Sequence, residues 1–162
     1  MFTDERKNTT DKRESMNIDE THIAIMKLLR DGRRSFKKIA EELSITENTV
    51  RARVRRLQDE GVLDVTGLVN PESLRGHRVV IVGMNISHVN LVDKGEEISR
   101  LKGVVSVSVV TGRYDLIVQV LFKEGYGLLE FYTEELSKVK DIQSVETFVV
   151  YKGYNLKVPY LL

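Results

Sequence analysis

The chain has 162 residues, of which 41% are hydrophobic and 30% are charged, and its formal net charge is +1 at pH 7. This balance is typical of a soluble globular protein with one ordinary domain or two small ones. No run approaches the ~18 consecutive apolar residues of a membrane helix, and the start of the chain lacks the apolar core of a signal peptide. Cysteine is absent, which excludes disulfides and thiolate metal sites, so we expect a cytoplasmic protein with no membrane partner.

Residues 1–15 are polar and aperiodic, and we interpret them as a disordered extension that makes Met16 a candidate for the true start. Ordered patterning follows at once. "IDETHIAIMKLLRDG" predicts a helix with Asp19 as its N-cap and Gly32 at its end. In "FKKIAEEL" the apolar residues fall at i, i+3, i+4 and i+7, which predicts a second amphipathic helix.

A third helix is predicted to start after the N-cap Thr46 and to close at Gly61, with its buried stripe at Val50, Val54 and Leu57. Three helices in about 45 residues, the last two joined by a tight turn, predict a helix-turn-helix domain of winged-helix-like type over residues 16–63.

Downstream, the apolar period changes from that of a helix to that of a strand. Residues 64–77 contain turn signals and are predicted to be a linker. Residues 78–162 then show the order β-α-β-β-α-β. "ISRLKGVVSV" (Ile98 to Val107) aligns without gaps to "LSKVKDIQSV" (Leu136 to Val145), although chance similarity of two short amphipathic segments is an alternative. Two such halves predict a ferredoxin-like sandwich, and the fold class is therefore α+β.

The charge is unevenly distributed. From Lys27 to Arg56 there are ten basic and four acidic residues, a net charge of +6. With its apolar stripe buried, the third helix presents Asn48, Arg51 and Arg55 along its outer face, with Ala52 and Arg56 beside them. Charged helix surfaces are often merely solvated, but here a second basic group, Lys37 and Lys38, precedes the helix. A recognition helix entering the major groove of double-stranded DNA needs this arrangement.

At this point the sequence resembles the leucine-responsive regulator/AsnC (Lrp/AsnC, feast/famine) family. The matching pieces are, in order, Ile18-Asp19, Asp31-Gly32-Arg33, Ile39-Ala40, Thr49-Val50, Arg53-Val54 with Arg56-Leu57, and Glu60-Gly61-Val62, followed in the second half by "VVTGRYDLIVQV" and "SVETFVV". Ser44 stands where the family generally has glycine, for which we expect a small change in turn geometry. The resemblance implies a DNA-binding transcriptional regulator.

On this reading the DNA-contacting residues divide by role. Phosphate contacts are expected mainly from Lys37, Lys38, Arg53 and Arg56, and base contacts mainly from Glu47, Asn48, Arg51 and Arg55. Thr46, Thr49 and Ala52 complete the expected interface.

The β-rich domain is expected to make a homodimer, and the family implies higher assemblies such as tetramers or octamers. In "VVSVSVV" we place Val105, Val107 and Val109 on one face, and "LIVQVLF" has only Gln119 as a polar residue. An apolar second sheet face would need a partner, although one deeply buried strand would account for "LIVQVLF" alone. The tail "VPYLL" is expected to pack as an edge strand or against a partner.

"TGRYD" is the candidate ligand loop. Gly112 permits an unusual backbone angle and Asp115 offers a carboxylate, although a simple β-turn is the alternative. The family uses this loop in an effector site for amino acids or related metabolites, and that resemblance implies Gly112, Tyr114, Asp115, Thr147 and Phe148. Arg113 would favour an acidic effector. No cofactor is expected beyond such an effector.

Catalysis is not expected. His22, His77 and His88 have no partners at metal-ligand spacing. The siroheme decarboxylases resemble the same regulators and are the enzyme alternative, but their tetrapyrrole carboxylates would need a basic patch for which only Arg75, His77 and Arg78 are candidates. A metabolite sensor that does not bind DNA is a third possibility, which the arginine helix argues against.

Overall fold

The structure is a computed structural model that describes residues 17–87 and 90–162. The expectations for residues 1–15, for Met16 and for His88 therefore lie outside the described residues. The chain divides into two compact units, with the boundary between Thr66 and Gly67. Within the described residues, no helix has the length and apolar character needed to cross a bilayer.

Three helices form the first unit: α1 (Glu20–Leu29), α2 (Phe36–Leu43) and α3 (Glu47–Asp59). The predicted N-caps are confirmed, since the side chain of Asp19 accepts a hydrogen bond from the His22 amide and that of Thr46 accepts one from the Thr49 amide. The apolar stripes of the three helices meet in one core. Its fully buried members include Ile25, Ile39, Val50 and Leu57.

The turn between α2 and α3 passes through Ser44, which adopts a left-handed conformation with φ 54° and ψ 40°. Helices commonly end on a left-handed residue that is usually glycine, because glycine has no Cβ to clash. Serine keeps the turn here, with its amide donating to the carbonyl oxygen of Glu41. Serine at this position therefore carries the conformational cost of one left-handed residue, and the expected small change of turn geometry stays a prediction.

The second unit contains the remaining elements. They are β1 (Leu68–Val69), a 3₁₀ turn (Pro71–Ser73), β2 (Arg78–Ile86), α4 (Leu91–Ser99), β3 (Val104–Val109), β4 (Leu116–Phe122), α5 over 128–138, β5 (Ile142–Val149) and β6 (Val158–Pro159). The helix α5 is composite, with a π-helical stretch at Phe131–Glu135 between an α-helical start and a 3₁₀ end. The predicted linker, 64–77, thus includes β1 and the 3₁₀ turn.

The main sheet has the order β3-β4-β2-β5, with every neighbouring pair antiparallel. This is the predicted ferredoxin-like α+β sandwich. The helices α4 and α5 cover one face, where Ile98 and Phe131 pack with Val82, Met84 and Val118 in a buried core.

Aligned residues in the two copies of the repeat occupy equivalent positions in the structure. The aligned residues Ile98 and Leu136 are both buried near a helix end. Gly103 (φ +79°) and Asp141 (φ +67°) are also aligned, and each takes a left-handed conformation one residue before its strand begins. The repeat therefore encodes one helix-turn-strand unit used twice.

Two details of the sheet differ from expectation. A β-bulge lies between Val104 and Ser106, so Val105 packs with Val79 and Leu121 on the face opposite Val107. The placement of Val105 with Val107 was therefore wrong, because a bulge shifts the alternation of side chains by one residue.

The face without helices, which we call the open face, is also less apolar than expected. Its β3 residues Ser106 and Ser108 are exposed. At one end it is covered by this chain's own tail, where Val158 is buried against Val79 and Leu121. The tail forms neither a fifth strand of the main sheet nor a free end, because β6 pairs with β1 in a separate two-stranded sheet.

Candidate nucleic-acid interface and small-molecule site

The outer face of α3 is exposed and carries donors along its length. With Val50, Val54 and Leu57 in the core, the 3.6-residue period turns Asn48, Arg51 and Arg55 away from it. The exposed side-chain fractions of Arg51 and Arg55 are 60% and 83%. This face can approach another molecule without disturbing the core.

Arg51 and Arg55 are held only by weak contacts, within α3 and with Phe36 of α2. Arg51 donates to Glu47 Oε1 at 2.7 Å, and its guanidinium carbon lies 5.3 Å from the centre of the Phe36 ring. Arg55 lies 3.8 Å from an Asp59 oxygen. Exposed i,i+4 pairs contribute only ~0.3–0.5 kcal/mol, so a phosphate or base edge can compete for either arginine. In the absence of such a competitor, Glu47 holds the Arg51 side chain over the Phe36 ring.

The remaining predicted contacts surround the start of α3. The Thr46 and Thr49 hydroxyls lie 2.8 Å apart, and both residues are exposed. Lys37 and Lys38 are exposed in the first turn of α2, and Ala52 and Arg56 are exposed on α3. The structure thus brings ten of the eleven predicted residues to the exposed surface of one small unit.

Arg53 is the exception. Only 29% of its side chain is exposed, and its Nη1 lies 2.8 Å and 2.7 Å from the two carboxylate oxygens of Asp19. The same nitrogen lies 3.0 Å from Nδ1 of the buried His22. The His22 amide, and next the Arg53 guanidinium, lower the pKa of Asp19 from 3.8 to about 2. Arg53 therefore ties α3 to the N-terminus of α1, a role that no local sequence pattern reveals.

In the second unit, the candidate ligand loop leads to a cluster on the open face. The Tyr114 ring lies directly over Gly83, where an added Cβ would come within 2.8 Å of the ring. The Tyr114 hydroxyl donates to Glu146, which raises the pKa of the phenol. The ring meets Phe148 edge-on, with centroids 6.1 Å apart.

Arg113 joins this cluster through the same carboxylate. Its Nη2 lies 2.8 Å from Glu146 Oε2, and its guanidinium carbon lies 5.4 Å from the Tyr114 ring centre. Sequence analysis missed Glu146 and Gly83. Their pairing across β2 and β5 depends on strand register, which the sequence did not supply.

The other predicted effector residues lie apart from this cluster. Gly112 has φ +130° and an open surrounding, as its predicted conformational freedom requires. Asp115 Oδ2 accepts a hydrogen bond from the Ile86 amide at 2.8 Å, so this carboxylate anchors the loop to β2. The Thr147 and Tyr132 hydroxyls lie 2.8 Å apart, on the sheet face covered by helices. The structure therefore groups Tyr114 with Phe148 and separates both from Thr147.

The histidines of the described residues have partners within the chain and do not form a metal site. Across residues 17–87 and 90–162, no group of three His, Cys, Asp or Glu side chains could hold a metal ion. Nδ1 of His77 lies 2.9 Å from the Arg75 carbonyl oxygen, and His22 takes part in the capping box of α1.

Comparison with known proteins matches both units to one family. Residues 18–58 match the AsnC-type helix-turn-helix domain, and residues 79–157 match the Lrp/AsnC ligand binding domain. An uncharacterized HTH-type transcriptional regulator of Pyrococcus horikoshii is 33% identical over 137 residues, which cover 83% of this chain and 87% of that protein.

Solved structures share the fold. The leucine response regulatory protein of Mycobacterium tuberculosis has a TM-score of 0.68 at 20% identity, covering 85% of this chain and 94% of that one. A transcriptional regulator of Neisseria meningitidis, solved in complex with L-Met, has a TM-score of 0.62 at 21% identity, covering 83% of this chain and 90% of that one.

Proposed function

The chain belongs to the Lrp/AsnC family of transcriptional regulators, and from this premise we propose that the outer face of α3 reads its DNA operator in the major groove. The protein is a DNA-binding regulator with a helix-turn-helix domain and a ligand-binding domain. The names of its relatives are those of regulators, and nothing favours the siroheme decarboxylase alternative.

One observation carries the assignment of α3: its exposed arginines are held only by weak, solvent-screened pairs. We assign base contacts to Asn48, Arg51 and Arg55, because asparagine can pair with adenine and arginine with guanine in bidentate fashion. Glu47 positions Arg51 or accepts from cytosine. Thr46, Thr49 and Ala52 line the helix start beside the bases.

Phosphate contacts are assigned to the exposed cations Lys37, Lys38 and Arg56. Arg53 has a different role, because its guanidinium is engaged by Asp19 and His22. We assign Arg53 to positioning α3 against α1, and through that to the geometry of the contacts.

Selection of genomic DNA fragments by the purified full chain tests DNA reading. We expect a recurrent motif to be enriched, and the affinity for that motif to fall steeply with salt as counterions are released. Enrichment that does not converge on a motif, or an affinity independent of salt, contradicts the proposal. Arg100→Ala at the C-cap of α4, which removes a similarly exposed arginine, is the matched control and should leave DNA binding unchanged.

The ligand-binding unit is proposed to take an amino acid or related metabolite beside the β3–β4 loop. Gly112 offers its backbone, and Tyr114 and Phe148 offer aromatic surface. Asp115 anchors the loop to β2 through the Ile86 amide. Thr147 contacts the Tyr132 hydroxyl on the opposite face of β5. Arg113 is exposed and lies 2.8 Å from Glu146, so the two side chains together offer a cation and an anion that suit a zwitterion.

A calorimetric screen of single amino acids tests this site. Tyr114→Ala should lose the heat of binding, whereas Tyr154→Ala, which removes an exposed tail tyrosine, should retain it. Equal binding by both variants would place the effector elsewhere. The effector would regulate transcription only by favouring one assembly or DNA-binding state over another.

The regulator is proposed to act as a homodimer and as higher assemblies of dimers. The open face supports this, since Phe148 is 42% exposed there and Ile81 and Ile117 are only half-buried. Two copies would present two recognition helices to half-sites about one helical turn apart.

A further inference from the structure

Two adjoining cavities open at the end of the main sheet where β2 begins and where β4 and β5 end. The first, of about 480 Å³, is lined by apolar residues such as Val150 and Leu156 and by polar ones such as Glu72 and Lys152. The second, of about 470 Å³, is lined by Phe122 and other residues near the start of α5. Arg78 and Val149 line both cavities, and we call the pair the end-of-sheet cavity. Each part is in the size range of small-molecule sites.

Two of the three acidic residues that line this cavity, Glu72 and Glu130, are engaged within the chain, and the third, Glu124, lies in the wall of the second part. Glu72 accepts from Lys152 Nζ at 2.6 Å and from the Gly153 amide at 2.7 Å, and the Lys152 contact chiefly lowers its pKa. Glu130 accepts from the Gly127 amide at 2.8 Å, which likewise lowers its pKa. Both carboxylates are thus held ionised by their own neighbours.

Arg78 is different. Among residues 17–87 and 90–162, no carboxylate lies within 4.0 Å of its guanidinium, and the residue is exposed. A guanidinium presents a planar fork of donors that matches a carboxylate. On the same wall, Nε2 of His77 is shielded from solvent and has no hydrogen-bond partner in the described part of the chain.

Apolar residues share the wall of the first cavity with Arg78, His77 and Lys152. Val79 is 2% exposed and lies on the open face, while Val149 is 55% exposed at the end of an edge strand. Val150 and Leu156 are half-buried and pack against the cluster that contains Val79. A hydrocarbon chain laid against Val149 would remove apolar area from water at about 25 cal/mol per Å².

We propose that the end-of-sheet cavity binds a small apolar organic acid, with its carboxylate on Arg78 and its hydrocarbon part against Val149 and Leu156. This site is separate from the effector loop. The Asp115 amide donates to the carbonyl oxygen of Met84 at the other end of β2, and a strand rises about 3.3 Å per residue, so about 20 Å separates the two sites along β2. The regulator would therefore respond to two small molecules.

Titration of the ¹⁵N-labelled full chain with hexanoate, hexanamide and inorganic phosphate tests the site. Hexanoate should shift the amide signals of Val79, Val149 and Val150. Hexanamide has the same shape without the charge and should bind at least about tenfold more weakly, because hydrogen bonds to charged groups are the stronger ones. Phosphate should leave the apolar residues unshifted.

Substitutions of Arg78 and of control residues show whether this side chain binds the carboxylate. Arg78→Gln should abolish the hexanoate shifts and Arg78→Lys should keep part of them. Arg75→Gln changes an exposed neighbour that lines neither cavity and should bind as the wild type does. Tyr114→Ala should also keep the shifts, so failure of the effector loop and failure of this site give different results.

Three outcomes overturn the proposal: hexanamide binding as well as hexanoate, Arg78→Gln retaining the shifts, or no hexanoate binding at millimolar concentration. Phosphate producing the same shifts as hexanoate overturns it too, since that would indicate a bare anion contact. If Arg78→Gln fails to fold, the comparison of hexanoate with hexanamide on the wild-type chain decides.

Discussion

The four arginines of α3 are not equivalent, because the helical period determines how far each side chain is exposed. Arg51 and Arg55 point away from the core and are 60% and 83% exposed, whereas Arg53 lies beside the buried Val54 and is 29% exposed. An exposed arginine is available to DNA. An arginine held by a carboxylate and a buried imidazole instead links α3 to the N-terminus of α1.

The first prediction separates these roles by salt dependence. Arg56→Ala should lower affinity similarly on all sequences and reduce the slope of log K against log salt by about 1, as expected for one lost phosphate contact. Arg53→Ala should leave the slope unchanged while lowering both operator affinity and the melting temperature. A slope that falls equally in both variants would show that Arg53 also contacts phosphate.

The second prediction concerns Asp19. Because its folded-state pKa, about 2, lies below its usual value of 3.8, the ionised carboxylate stabilises the fold above pH 3.8, and this contribution is lost as the pH falls towards 2. Asp19→Asn keeps an N-cap but removes the charge. Its free energy of unfolding in urea should be below that of the wild type at neutral pH, and the two should converge at acidic pH.

Asp64→Asn is the matched control, because Asp64 is exposed and lies outside the Asp19–Arg53 contact. It should follow the wild type at every pH. A gap between Asp19→Asn and wild type that persists unchanged to pH 2 would mean that the carboxylate acts through something other than its charge.

At the scale of elements, helices were easier to predict than strand faces. The spacing of Val50, Val54 and Leu57 identified the buried side of α3 because a helix averages its period over many residues. Strand faces depend on every residue, and the bulge beside Val105 reversed one assignment. Alternation alone would have shown that Thr147 and Phe148 face opposite sides of β5, but the resemblance assigned both to one site.

The third prediction tests the contact between β2 and the effector loop. In Gly83→Ala the new Cβ would lie 2.8 Å from the Tyr114 ring, so the ring must move. We expect a loss of about 1–3 kcal/mol in the free energy of unfolding and weaker effector binding. Gly95→Ala is the control, since its Cβ would meet its neighbours at ordinary distances of 3.7–3.9 Å.

Calorimetry and urea unfolding measure both consequences for Gly83→Ala. Unchanged effector affinity in a folded Gly83→Ala protein would show that the position of the Tyr114 ring is not needed for binding.

The fourth prediction concerns the turn between α2 and α3. Ser44 takes a left-handed conformation that costs an L-residue about 1–2 kcal/mol, while glycine adds about 0.5–1 kcal/mol of unfolded-state entropy. Ser44→Gly should therefore stabilise the protein by about 0.5 kcal/mol in urea unfolding, with DNA affinity unchanged. Destabilisation would mean that the serine side chain contributes more to the turn than its conformation costs.

At the scale of the whole molecule, sequence patterns were sufficient to predict that the chain forms two units. The change of apolar period after residue 63 and the repeat built on Ile98 and Leu136 predicted both units and their order. Contacts distant in sequence were not predictable by pattern. Arg53 with Asp19 is 34 residues apart and Tyr114 with Glu146 is 32, and only the folded chain brings them together. The pairing of β6 with β1 is of the same kind.

The account depends most directly on α3 reading base edges, and Arg51→Ala measures this. Affinities of the full-length wild type and variant should be compared on the selected operator and on a random duplex at the same salt concentration. The account predicts that the variant loses about 1–3 kcal/mol more on the operator than on the random duplex. Equal losses on both duplexes would contradict it, because Arg51 would then be contacting only phosphate.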